Sequence, residues 1–572
     1  MKPISRFFQL LLVFCLCGLA MAQKEQPPYD VKTLDWGGGG VSMRLRITNQ
    51  SGQARQPTVI RENLGRGSGN VEERFEIGIL GPNESSTVYL TSRNGAAYYG
   101  NSFRIVDGTG HSSSIGSGSQ ENEVLYIAPT SAQLNPQTLE SLNETSATHS
   151  RGYTPEKKQI IQTEPTDLPL QWKHYHGFEA VIIDRATYDA LAAPFRSALD
   201  DYVLAGGVVM IMSSQTPGMS KLGPGQFYHF SQNFGEDNAI REEISKRLQN
   251  TLPQYGAAVT DTISTGFVPS IRVRNRVIFG IIAIYVIVAG PISVWYWSRK
   301  KRREMLFKYL PMYSVAFSLL AIVAFYAIHG FNRYSGSTSI TLVNPETRRA
   351  AIRAGFSMLT AFHPRGGLKF DDETLTMFPD ADNSTYNATH SNGLTVTAGG
   401  VMPNAISRYN SGTVDVLRER PTIDLAKKSA TNTYSVPWHT MEVHLDRSIV
   451  AFPAAKSGEA SIGKEIPVTL STDRFTSIKS SMTEMQEDAW ARISSEVSNA
   501  LANTQLPAAV TIFTTRPNWI KAGAISDTQG DLHVVIESLS LTPPKVEPLQ
   551  ALPTPTPSST PDPAEMHMSE MP

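Results

Sequence analysis

The hydropathy pattern changes period three times along the chain, and its two longest apolar runs lie near the middle. From Val277 to Trp297 the sequence reads VIFGIIAIYVIVAGPISVWYW, then SRKKRRE, then a second apolar run from Tyr309 to Phe331. Neither run holds an Asp, Glu, Lys or Arg. Each reaches the roughly 20 residues that a helix needs to cross a hydrocarbon core of about 30 Å. The pattern predicts a transmembrane hairpin, with helices at 277–297 and 309–331 and a loop at 298–308. Arg299, Lys300, Lys301, Arg302, Arg303 and Lys308 oppose only Glu304, so the loop is expected on the cytoplasmic side and both flanking regions outside. Pro291 should kink the first helix; Pro311 is placed in the first turn of the second, where its missing N–H has no intrahelical partner.

Before the hairpin, apolar and polar residues alternate in VSMRLRITN (Val41 to Asn49), RFEIGIL (Arg74 to Leu80) and STVYLTS (Ser86 to Ser92). This period of two, broken by Gly- and Asn-bearing turns, predicts a small antiparallel β-sandwich over 23–118. Over 119–255 the pattern shifts to short, wholly apolar runs: VLYIA, AVIID and VVMIM. An amphipathic stretch from about Ala190 to Leu204 and the pair Gly206–Gly207 separate the last two. Strand, helix, glycine stop and buried strand make a βαβ unit, with parallel strands and a right-handed crossover. A further amphipathic helix is expected from about Asn238 to Leu252.

Past Phe331 alternation returns in SITLVN, LTVTA, EVHLD, IPVTLS, AAVTIFTT and HVVIESLSL. One helix interrupts it, from about Thr483 to Ala502, with Trp490, Ile493, Val497 and Leu501 near helical spacing. One or two β-rich domains are expected over 332–542. The Pro, Thr and Ser density of 543–572 predicts an extended, disordered tail with no packed core. The fold class is therefore multidomain α/β plus all-β, arranged about a transmembrane helical hairpin.

The start of the chain adds a compartment. Lys2 and Arg6 precede an apolar stretch from Phe7 to Leu19, and Ala20 and Ala22 flank Met21; this predicts a secretory signal over 1–22. The two cysteines, Cys15 and Cys17, lie inside it. A lipid-modified cysteine would need a small residue before it, whereas Phe14 and Leu16 stand there. Cleavage after Ala22 leaves no thiol for disulfides, zinc or nucleophilic attack. The net charge of −1 excludes nucleic acid as a partner, because no basic excess is available to neutralise phosphates.

The segment DLPLQWKHYHGFEAVIID, the helix after it and DYVLAGGVVMIM resemble the non-catalytic class I glutamine-amidotransferase-like (flavodoxin-like) domain of bacterial membrane-anchored proteins. The likeness continues through the Gly-Pro first helix, the Arg-Arg-Glu loop and the Pro-started second helix of AGPISVWYWSRKKRREMLFKYLP. The resemblance implies an α/β domain displayed outside the membrane, and little chemistry, because function does not follow from fold. Catalytic amidotransferases use a cysteine nucleophile on a sharp strand-to-helix turn. No cysteine follows residue 17, and no Gly-x-Ser-x-Gly elbow is present.

What remains is a binding chemistry. Asp184, Ser213 and Ser214 sit at the C-terminal ends of neighbouring parallel strands, where open α/β sheets hold ligands. His174 and His176 would put two imidazoles on one side of an extended loop, without a third ligand nearby. The Gly37 to Gly40 run lacks the Lys-Ser/Thr and helix of a phosphate loop. Asp380 and Asp382 lack the turn glycine and terminal glutamate of a calcium loop. No cofactor is expected. The expectation is a non-catalytic envelope scaffold or accessory subunit, anchored in the cytoplasmic membrane, with the lipid bilayer and another membrane protein as partners. The alternative is a module that binds a small ligand or glycan through the cleft at Asp184, Ser213 and Ser214.

Overall fold

The computed structural model describes residues 28–34, 42–63, 71–91, 101–107, 112–115, 123–127, 159–176, 178, 180–212, 218–222, 225–229, 275–329, 334–359, 367–377, 386–391, 393–397, 406–467, 482, 484–502, 504, 506–520 and 531–539. The expected signal at 1–22, the helix at 238–252, Asp380 and Asp382, and the tail at 543–572 lie outside these residues.

The N-terminal strands are β1 (Tyr29–Leu34), β2 (Ser42–Asn49), β3 (Thr58–Asn63), β4 (Val71–Glu76), β5 (Ser85–Thr91), β6 (Asn101–Val106) and β7 (Ser112–Ile115). Alternation sorts their side chains: Met43, Leu45 and Ile47 of β2 are buried and the residues between them are not. The sheet β1-β2-β5 packs on β4-β3-β6-β7 over a core that includes Leu45, Ile47, Val59, Phe103 and Ile105.

The next elements are β8 (Glu123–Ile127), β9 (Gln159–Thr163), β10 (Ala180–Asp184), helices α1 (Arg185–Ala190) and α2 (Ala193–Leu204), then β11 (Val208–Met212), β12 (Gly218–Leu222) and β13 (Gly225–His229). They form one sheet in the order β12-β13-β11-β10-β8-β9, in which only β12 is antiparallel to its neighbour. Every residue of β11 is buried, as expected of a parallel strand covered on both faces. The helix after β10 comes in two pieces, with Pro194 in the first turn of α2. Gly206 ends α2 at φ 114°, a left-handed conformation that favours glycine. The spaced residues of the lead-in are packing residues: Leu168, Trp172, Tyr175 and Phe178 all enter the core, and the Tyr202 hydroxyl of α2 donates to the Phe178 carbonyl at 3.0 Å.

The hairpin is α3 (Asn275–Ile287), a π-helical turn at Val288–Ile292, α4 (Ser293–Arg299) and α5 (Met305–His329). Pro291 sits in the π turn, where the Ser293 hydroxyl donates to the Val288 carbonyl at 2.6 Å. Helix α5 begins at Met305, so the non-helical connection narrows to about Lys300–Glu304 and Pro311 falls in the second turn, not the first. The spans Phe279–Arg299 and Met305–Val323 are long and apolar enough to cross a membrane. Phe279, Ile284, Val286, Leu319 and Val323 are more than half exposed on their outside, a surface suited to lipid. The helices touch through Tyr285 and Ser314, whose hydroxyls lie 2.7 Å apart, and through stacked Trp297 and Tyr309.

After the hairpin come β14 (Tyr334–Val343), β15 (Arg349–Leu359), β16 (Leu368–Phe370), β17 (Leu375–Met377), β18 (Tyr386–Ser391), β19 (Gly393–Val396), β20 (Ile406–Val416), β21 (Thr422–Asp424), β22 (Ser429–Thr431), β23 (Thr440–His444), β24 (Ser448–Phe452), β25 (Ala460–Ile462), β26 (Lys464–Pro467), α6 (Glu484–Ala502), β27 (Ala508–Phe513) and β28 (Leu532–Ser538). Nine of these strands form one sheet, β17-β20-β15-β14-β28-β27-β23-β24-β26. Helix α6 lays Trp490, Ile493, Val497 and Leu501 on Ile340, Val510 and Val534 of that sheet, as its spacing predicts. Strands β21, β22 and β25 form a small separate sheet.

The remaining strands cross to the other side of the hairpin. The sandwich sheet continues as β16-β19-β18-β4-β3-β6-β7, and β18 pairs in parallel with β4 from Tyr386↔Val71 to His390↔Phe75. Two regions separated in sequence by both apolar helices therefore share one hydrogen-bonded sheet.

Candidate functional site

Asp184 ends β10, as its position in AVIID predicts. Strand β8 is followed in sequence by β9 on one side and then by β10 on the other, so the sheet reverses its direction of growth between β8 and β10. Open sheets place ligands outside the strand ends at such a reversal. One Asp184 oxygen accepts the Thr187 N–H at 2.9 Å and caps α1. The other is buried without a hydrogen-bond partner among the described residues. The nearby Tyr126 hydroxyl is pushed up to about 12, first by burial and then by the Asp184 charge. Ser213 and Ser214 lie outside the described residues; β11 is described to Met212, the Cα partner of Asp184.

The His-x-His segment is not the extended loop expected of it. Trp172–Tyr175 is a 3-10 turn, which sends the rings to different neighbours. His174 meets the Thr91 hydroxyl of the sandwich at 2.7 Å and the Tyr89 ring, whereas His176 feels the charge of Arg353 on β15. Burial holds both imidazoles neutral, His174 down to about 3 and His176 down to about 4.

A second arrangement has no counterpart in the sequence reading. Helix α2 faces β15 across a seam where Asp201 forms a two-pronged ion pair with Arg349, through Nε and Nη2. Ala351, Leu375 and Val414, all from beyond the hairpin, complete the α/β core there. Beside the pair lies a cavity of about 480 Å³, whose lining includes Tyr188, Asp200, Phe227, Leu342 and Glu346. The Tyr188 hydroxyl donates to Asp200 at 2.6 Å. Burial raises both carboxyls, Asp201 to about 6 against the pull of Arg349. Adjacent acidic residues on one helix carry no signal of this kind by themselves; it arises only when β15 brings Arg349 opposite them.

The parallel pairing of β14 with β28 assembles serine, histidine and aspartate. Ser337 donates to Asp531 at 2.6 Å and lies 3.3 Å from His533 Nε2, while Ser339 meets Nδ1 at 2.7 Å. A hydrolytic triad places the nucleophile on one ring nitrogen and the carboxylate on the other. Here a hydroxyl meets each nitrogen, Asp531 lies 4.0 Å from the nitrogen that Ser337 also faces, and all four side chains are at most 3% exposed. Among the described residues, the cluster ties the first strand after the hairpin to the last strand.

No protein family matches the chain, and no curated protein does. Among solved structures, a carbohydrate acetylesterase from Xanthomonas citri shares 8% identity over 66% of this chain and 93% of its own, with a TM-score of 0.22. A β-glucosidase from Kluyveromyces marxianus shares 10% identity over 75% of this chain and 44% of its own, with a TM-score of 0.08. Similarity at these scores assigns neither fold nor activity.

Proposed function

We propose that this protein is a non-catalytic, two-pass scaffold or accessory subunit of a membrane complex, such as a transport or secretion system, displaying one extracytoplasmic body above the cytoplasmic membrane. The observation that carries the reading is the β4–β18 ladder. Regions before and after the hairpin share a sheet, which supports a topology with both on the same side of the membrane, as two crossings allow. The basic connection Arg299–Arg303 favours the cytoplasm for the opposite side. A body built across its own anchor is held close to the bilayer, which suits a subunit that presents surfaces to a membrane partner. The strand order β9-β8-β10-β11-β13 matches the 2-1-3-4-5 order of flavodoxin-like sheets and so supports the amidotransferase-like resemblance.

The test is co-purification from gentle detergent at native expression, with a periplasmic reporter fused after Phe331. A stoichiometric membrane-protein partner and an active reporter are expected; recovery of the chain alone, or a silent reporter, overturns the reading. Asp184 favours a second reading, a ligand site at the sheet reversal, because one of its oxygens is buried with no hydrogen-bond partner among the described residues. A thermal-shift screen of the full chain beside Asp184→Asn checks it: a ligand that stabilises the parent and not the variant is expected, and uniformly flat responses remove it.

A further inference from the structure

A cavity of about 300 Å³ lies where three parts of the chain meet. Strands β4 and β5 of the sandwich contribute Phe75 and Tyr89, and the lead-in of the α/β region contributes Gln171, Lys173 and His174. The C-terminal half adds Asp372 and Thr374, from the connection between β16 and β17, and His390 of β18. We propose that this cavity binds an uncharged pyranose sugar, free or terminal on a glycan. The proposal rests on neither the scaffold reading nor the Asp184 site, and its failure would leave both standing.

The pairings within the wall decide the charge of the ligand. Lys173 Nζ lies 3.0 Å from Asp372 Oδ1, and Gln171 donates to Oδ2 at 2.8 Å. This cation and this carboxylate answer each other, and burial holds His174 neutral. Glu76 and Asp371, also in the lining, are exposed and acidic, which turns away an anion. A ligand cation would have to draw Asp372 from a lysine already in place, or rely on charges that water screens. An uncharged ligand meets neither obstacle.

Ring faces stand beside short polar groups in the same wall. Phe75 and His390 stack with centroids 4.1 Å apart, and Tyr89 and His174 are tilted at 5.5 Å. A pyranose has a face of C–H bonds and a rim of hydroxyls. The C–H face packs on the electron-rich face of an aromatic ring, and the rim needs groups that donate and accept. Ser86, Thr91, Gln171, Thr374 and Ser391 bring hydroxyls and an amide of that kind. Thr374 is 4% exposed, and its hydroxyl has no hydrogen-bond partner among the described residues. Its N–H donates to the Asp371 carbonyl at 3.1 Å, which holds the turn that places it. A buried hydroxyl in that state requires an explanation, and a sugar hydroxyl supplies one. A volume of about 300 Å³ is at the small end of ligand cavities, which suits a sugar terminus better than a long chain.

The experiment is calorimetry on the full chain in a detergent without a sugar headgroup, with methyl glucoside, methyl galactoside, N-acetylglucosamine and maltose as probes. Saturable binding of at least one is expected, and flat titrations with all of them overturn the proposal. Choline and galacturonate test the charge: either one binding more tightly than every sugar also overturns it. Thr374→Val keeps the shape of the wall and should weaken the bound sugar about fivefold, and Tyr89→Leu should weaken it about tenfold. Unchanged affinity in both variants places the sugar elsewhere and overturns the assignment. Because the Tyr89 hydroxyl also donates to the Asp167 carbonyl, that variant could misfold, and saturation-transfer NMR on the unaltered chain supplies a second measurement. Saturation of the aromatic protons should pass to the C–H protons of the sugar; its absence overturns the proposal as well.

Discussion

Two of the seams that join the chain's halves among the described residues are built from different materials. At β4–β18 the join is a backbone ladder of five residue pairs, with stacked Phe75 and His390 on one side, ring centroids 4.1 Å apart. At α2–β15 it is side chains: the Asp201–Arg349 pair and a few small apolar contacts beside a cavity. A ladder is specified by main-chain groups that every residue carries and leaves little space between strands. A helix laid obliquely on a strand meets it through side chains of unequal length, and where these fall short a cavity remains. The first seam joins the halves through backbone and the second through side chains, and each borders a cavity, of about 300 Å³ beside Phe75 and His390 and about 480 Å³ beside Asp201 and Arg349.

The strongest way to break this comparison is Thr389→Pro, which places a proline in β18 between β4 and β19. It should be the most destabilising of these changes, because it removes a ladder hydrogen bond from a strand paired on both sides. With a protease site inserted between Pro253 and Ser270, cleavage of the parent should leave the N-terminal half bound to the membrane fraction. Cleavage of the variant should release it. Release from the parent as well would show that the ladder does not hold the halves.

At the side-chain seam, Arg349→Leu strands the Asp201 carboxylate, whose side chain is 7% exposed. The expected loss is about 2–3 kcal/mol in denaturant unfolding. Adding Asp201→Leu should recover much of it, because a buried ion pair and a packed apolar pair are often close in stability. If the double variant is no better than the single one, the seam depends on charge for geometry as well as for pairing.

These seams also mark how far the sequence could be read. AVIID, VVMIM and the Trp490 to Leu501 helix were legible because each is a local period in contact with its own core. The hairpin was legible by length and charge, though its turn proved shorter than the basic run. The β4–β18 pairing was not legible, since YNATHS has no apolar alternation and the backbone groups that pair it are common to every residue. The placing of Asp184 at the end of β10 was legible because a strand end is a local feature. The Asp200, Asp201 and Arg349 site was missed because its members lie about 150 positions apart and meet only through the fold.

Acid should act on the two buried histidines and on Asp201 with opposite sign. His174 and His176, with an ordinary value of 6.5, are held down to about 3 and about 4. Between these values and 6.5 the unfolded chain binds protons that the folded chain refuses. Their contribution is therefore complete above pH 6.5 and is lost as pH falls toward 4. Asp201 acts oppositely: raised from 3.8 to about 6, it keeps a proton in the folded state that the unfolded state releases, so its contribution is present at low pH and lost as pH rises through 6. Two histidines should outweigh one carboxyl, and the Tm should fall from pH 7 to pH 5. His174→Gln should flatten that slope and Asp201→Asn should steepen it. The reverse ordering would mean that Asp201 governs acid stability.

The smallest effect is expected where the α/β lead-in meets the C-terminal half at its rim. Lys173 Nζ lies 3.0 Å from Asp372 Oδ1, and Gln171 donates to the other oxygen at 2.8 Å. The Asp372 side chain is 54% exposed and that of Lys173 11%, so water screens the carboxylate while the lysine stem is packed. A double-mutant cycle with Lys173→Met and Asp372→Asn should give a coupling of about 0.5–1 kcal/mol. Most of it should vanish in 1 M salt, where the screening length is about 3 Å. Gln171 keeps the carboxylate oriented in either background, so the cycle isolates charge rather than order. A coupling above about 2 kcal/mol that survives salt would place this pair beyond the reach of water. The rim would then hold the halves as firmly as the buried Asp201–Arg349 pair, and depth of burial would no longer separate strong side-chain contacts from weak ones along this seam.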